Sequence, residues 1–71
     1  MCTIVSETEA MVCDVSRDFV RAEMTRLLGD GFTAETVHGE GTRFTCVDPD
    51  QSPDFQAAIR TGQDQAAATD P

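Results

Sequence analysis

The stretch from Asp14 to Val47 does most to limit what this chain can become. Within it Val20, Met24, Leu27 and Leu28 recur at spacings of four, three and one, with Phe19 flanking the same side, which makes one apolar stripe at helical period. The stripe predicts a helix over about Arg17–Leu28. Ser16 suits the N-cap and Asp18 the first turn, where a carboxylate meets the positive helix end. Asp18 with Arg21, and Glu23 with Arg26, stand three apart on the side expected to be wet. Gly29-Asp30-Gly31 stops the helix, because glycine takes the left-handed cap conformation readily.

A hairpin follows. Phe32 to Val37 alternates weakly, with Phe32, Ala34 and Thr36 on one side and Thr33, Glu35 and Val37 on the other. His38-Gly39-Glu40-Gly41 tolerates positive φ and supplies the turn. On the return strand Phe44 and Cys46 share a face, while Arg43, Thr45 and Val47 take the other. Asp48-Pro49 ends that strand, since proline cannot donate to the ladder.

The flanks are weaker. Residues 2–15 read as a strand at about 10–15 and a fainter one at 2–6, with no Gly, Asn or Pro to mark a turn between them. A capping box from Ser6 to Glu9 is the competing reading. After Pro49 large apolar side chains are scarce. Ser52-Pro53-Asp54 resembles a helix start. Phe55, Ala58 and Ile59 give a short apolar face and Gly62 an exit, for a short helix at 53–61. From Gln63 to Pro71 small polar residues predict disorder. The expected fold is therefore α+β: a small single domain over 1–50 with short leading strands, one central helix and a C-terminal β-hairpin, then a disordered acidic tail over 51–71.

Length and charge narrow the function. A chain of 71 residues holds one marginal domain, and cores this small usually need a staple, a metal or a partner. A protein partner or a homodimer is expected on that ground. Thirteen acidic residues stand against five arginines and no lysine, for a net charge of −8. That charge argues against nucleic-acid backbones, which need Lys or Arg to neutralise phosphate, and against anionic membranes. The lack of lysine with abundant Asp, Thr and Ala fits a GC-rich genome, and the carboxylate surface fits a halophilic archaeon, where salt screens self-repulsion, ahead of an actinobacterium. No basic region or long apolar run opens the chain, so neither a signal peptide nor a membrane span is expected and the cytoplasm is the expected compartment.

Candidate chemistry is thin. Cys2, Cys13, Cys46 and His38 have the composition of a structural zinc site but lack the Cys-x2-Cys knuckle. An odd number of cysteines argues against a disulfide framework. Cys13 and Cys46 sit among apolar residues, where a free cysteine usually behaves as a small buried hydrophobe. Gly39-Glu40-Gly41-Thr42 could cradle an anion through backbone N–H groups, but Glu40 at its tip repels phosphate and the order is wrong for a P-loop. No nucleophile elbow is present. No catalytic, cofactor-binding or metal-binding residue is expected.

Val20 to Pro49, VRAEMTRLLGDGFTAETVHGEGTRFTCVDP, resembles the C-terminal end of the ATPase domain of sensor histidine kinases. In that family a helix ends in a glycine turn, and a strand, a Gly-x-Gly-Thr-x-Phe hairpin and a closing strand follow. Gly39, Gly41, Thr42 and Phe44 match the hairpin; Gly29, Asp30 and Val47-Asp48-Pro49 match loosely. The family binds ATP through an asparagine-bearing helix and glycine loops, whereas this chain has no asparagine and carries Cys13-Asp14-Val15-Ser16 where glycines belong. The resemblance thus implies the structural edge of that fold without its site. The expected function is a small acidic non-catalytic interaction or regulatory protein that docks on a larger partner in signalling or transcriptional control. A degenerate kinase-type ATPase fragment and a small zinc-binding protein are the alternatives.

Overall fold

The glycine turn makes its hairpin. In the computed structural model, which describes residues 3–69, β3 (Phe32–Val37) and β4 (Gly41–Cys46) pair antiparallel in unbroken register from Phe32 opposite Cys46 to Val37 opposite Gly41. Gly39 and Gly41 hold φ of 82° and 121°, and the Glu40 N–H closes the turn on the Val37 carbonyl at 3.0 Å. An L side chain resists those dihedrals.

β1 (Thr3–Ser6) and β2 (Glu9–Val12) form a second hairpin, and β2 pairs with β4, so the sheet order is β1-β2-β4-β3, antiparallel throughout. Its turn at Glu7-Thr8 needs no glycine. The register slips between Ile4 and Ser6, and the Ser6 hydroxyl accepts the Thr8 N–H at 3.3 Å. An irregularity of this kind bends the strand and increases its local twist. The strand expected at 10–15 stops at Val12.

Helix α1 spans Asp14–Leu28, starting before the expected Arg17. Cys13 is the N-cap, in extended backbone and without a side-chain cap, and Asp14 is the acid of the first turn. Ser16, expected as the cap, lies inside the helix and is buried; its N–H donates to the Cys13 carbonyl at 3.0 Å. The stripe holds in Val20, Met24 and Leu28, while Leu27 is half-buried beside the core. Glu23 is not on the wet side: it is 8% exposed, and Arg26 donates to both its carboxylate oxygens at 3.1 and 2.8 Å. Those donations hold the Glu23 carboxyl below its usual range. Asp18 meets Arg17, at 3.4 Å, in place of the expected Arg21.

The largest correction lies beyond Pro49. A short 3-10 turn at Pro49–Gln51 leads into α2, Ser52–Thr69, so the expected helix at 53–61 extends through much of the expected disorder. Phe55, Ala58 and Ile59 belong to the main core and Ala66 is buried, so α2 shares one core with the elements of residues 1–50. Gly62 is no exit. It sits inside α2 against α1, where an added Cβ would lie 2.6 Å from Val20 Cα and 2.7 Å from Val20 N. Small residues let the two backbones approach closely, and that contact orders a segment poor in large side chains.

Ala10 and Val12 of β2 and Thr42, Phe44 and Cys46 of β4 make the buried floor under the helices. Among them Thr42 Oγ1 is buried with no hydrogen-bond partner. An orphaned hydroxyl costs about 1–3 kcal/mol. Thr42→Val is therefore expected to raise the chemical-denaturation midpoint, by about 1 kcal/mol of stability; an unchanged or lowered midpoint means that the hydroxyl has a partner.

Candidate functional site

Two features of the surface could meet a ligand. The first is a groove of about 460 Å³ between the start of α1 and the β3–β4 turn, lined by Cys13, Asp14, Thr36, Val37, His38, Gly39, Glu40 and Gly41. Residues distant in sequence meet here because β2 pairs with β4, placing Val12 opposite Thr42 beside the turn. The start of a helix favours an anionic ligand. Asp14 and Glu40 on the walls oppose it. Cys13 Sγ lies 3.7 Å from Ser16 Oγ.

The described members of the Cys2, Cys13, Cys46 and His38 set do not all come together. Cys13 and His38 share the groove, but Cys46 lies at the opposite end of β4, opposite Phe32, with its thiol donating to the Asp48 carbonyl at 3.0 Å. Cys2 lies outside the described residues. Among the described residues no three His, Cys, Asp or Glu side chains are placed to hold a metal.

Gly41 belongs to this wall, and its role is steric as well as conformational. A Cβ there would collide with the Val12 carbonyl oxygen and stand 3.3 Å from Cys13 Cα. Gly41→Val is expected to lower the melt of the unliganded protein by several kcal/mol. A variant that melts like wild type, alongside a wild type that binds ATP, would show that the glycine serves ligand approach and not the fold.

The second feature is the outer edge of β3. The helices cover β2 and β4 and stop short of it: Thr33, Ala34, Glu35 and Thr36 are exposed, and Phe32 and Val37 half-buried. Phe32 still reaches inward, its ring 6.1 Å from that of Phe44. The Val47 N–H donates to the Gly31 carbonyl at 3.0 Å. That bond sets the ladder's alternation, so Thr33, Glu35 and Val37 turn their backbone groups to β4, and Phe32, Ala34 and Thr36 turn theirs outward. This edge carries no proline, no bulge and a single charge, Glu35. The usual defences against strand pairing are absent from it. β1, the other edge, is short and bulged. No sequence pattern marked the β3 edge, because exposure depends on where the helices lie.

Across the whole surface the charge of −8 repels itself in the folded state. Screening over a Debye length of about 10 Å at 0.1 M weakens that repulsion. The melting temperature is expected to rise from low to molar potassium chloride, and a flat or falling trend would remove self-repulsion as a factor. Among the described residues no helix is long and apolar enough to cross a membrane. In comparison with known proteins, no family model, no curated protein and no solved structure matches this chain.

Proposed function

We propose that this chain is a small acidic, non-catalytic interaction module of the regulatory kind, docking through its sheet edge. The observation that carries the reading is the undefended outer edge of β3, where Phe32, Ala34 and Thr36 offer backbone donors and acceptors to solvent. An exposed strand edge binds by strand addition: the main chain supplies affinity and alternate side chains supply selectivity. A photo-crosslinker at Thr36 tests this in the native host, with one at exposed Ala67 on α2 as control. Protein adducts should form from Thr36 and not from Ala67. Adducts absent at Thr36, or equal at both positions, count against the edge.

A nucleotide-binding remnant is the second reading, favoured by the groove beside the Gly39–Gly41 turn. Titration with a fluorescent ATP analogue separates the two. Saturable binding that is lost on Gly39→Ala would carry the remnant reading; no binding leaves the groove a solvated turn.

A further inference from the structure

We infer that the free edge of β3 pairs with the same edge of a second copy, antiparallel about a two-fold axis at Ala34. The inference rests on the interaction-module reading and names its partner. Its first support is geometric. Only Phe32, Ala34 and Thr36 point their N–H and C=O groups outward, so a symmetric antiparallel pair must match members of this set with one another. With the axis at Ala34, Phe32 faces Thr36 of the second copy, Ala34 faces its own copy, and all three outward residues are bonded on both strands. Moving the axis to Thr33 leaves Thr36 without an outward strand partner. Moving it to Glu35 sets that carboxylate against its copy, an unfavourable cross-strand pair. With the axis at Ala34, Glu35 instead faces Thr33.

The second support is the uncovered overhang. Phe32, Ala34 and Thr36 lie on the helix side of the sheet, yet Ala34 and Thr36 are exposed because neither helix reaches them. Joining two such overhangs makes one continuous sheet, four strands from each copy, with a floor of Phe32, Ala34 and Thr36 side chains between the two helix layers. The small side chain of Ala34 sits on the axis, directly opposite its own copy. Nothing in the β3–β4 register bends the strand away.

Charge sets the sign of the test. Each copy carries −8, so self-association strengthens with salt, whereas capture of a basic extended peptide on the same edge weakens with it. Sedimentation velocity of the full chain, from low to molar potassium chloride, should show a dimer whose fraction grows with salt. Ala34→Lys and Ala34→Glu each place like charges across the axis, and each alone should dimerise more weakly than wild type. An equimolar mixture should restore a dimer about tenfold tighter than either variant forms alone. Net charge alone predicts the opposite for Ala34→Lys, which lowers the repulsion between copies. A wild type that is monomeric at every salt concentration overturns the inference whether or not the variants fold. So do two variants that dimerise like wild type. If wild type is monomeric while the Thr36 crosslinker captures a different protein, the inference falls and the interaction-module reading stands; if neither occurs, both fall.

Discussion

A chain ended at Asp50 is expected to show no cooperative melt. Truncation there removes α2 and with it Phe55, Ala58, Ile59 and Ala66, all buried, and it strips the cover from the Val20 and Met24 side of α1. A domain of this length is stable by roughly 4–10 kcal/mol. Phe55→Ala alone is expected to cost about 3–5 kcal/mol, so losing the whole helix exceeds what the remainder holds. Circular dichroism on heating is the measurement. A truncated chain that keeps a sigmoidal transition near the wild-type temperature would show that β1–β4 and α1 fold without α2. Phe55→Ala in the full chain gives the graded version, and a loss under about 1 kcal/mol would put that ring outside the core.

Gly62 carries the second large effect, and there the sign is diagnostic. In an exposed helix interior, Gly→Ala stabilises by about 1 kcal/mol. At Gly62 the added methyl would meet Val20 Cα, Cγ2 and N at 2.6, 2.6 and 2.7 Å, two of them backbone atoms that cannot turn aside. α2 must then shift off α1. Gly62→Ala is expected to lose about 1–3 kcal/mol, and Gly62→Val more, by overpacking. Equilibrium urea unfolding reads both. A more stable Gly62→Ala variant would mean that the helices stand further apart, and that this glycine is neutral or a helix end.

The same residue shows where sequence reasoning stops. The α1 stripe and the β3–β4 hairpin were legible because their signals are local: Val20, Met24 and Leu28 repeat with the helix, and Gly39 and Gly41 mark a turn. α2 was half legible. Its core contribution comes partly from Ala58, Ala66 and a glycine, and such residues look like linker until another backbone is placed against them. The start of α1 was misplaced because Ser16 is a good cap by residue type, while the chain enters the helix directly from β2 and turns Ser16 inward. Of the surface features, the turn beside the groove was visible as Gly39-Glu40-Gly41. The bare edge of β3 was not, since it follows from the helices stopping at β4.

The closeness of α1 to α2 also dictates when this protein can fold. α1 is synthesised before both the β3–β4 hairpin and the helix that seals it, so α2 leaves the ribosome after the elements it covers. Until then the leading hairpin, α1 and the β3–β4 hairpin exist without their cover, with the β3 edge already open to neighbours. Domains whose early elements depend on late ones cannot fold in stages as they emerge. In that interval Asp and Glu before Asp50 exceed Arg, and repulsion between like-charged chains opposes pairing through unfinished edges.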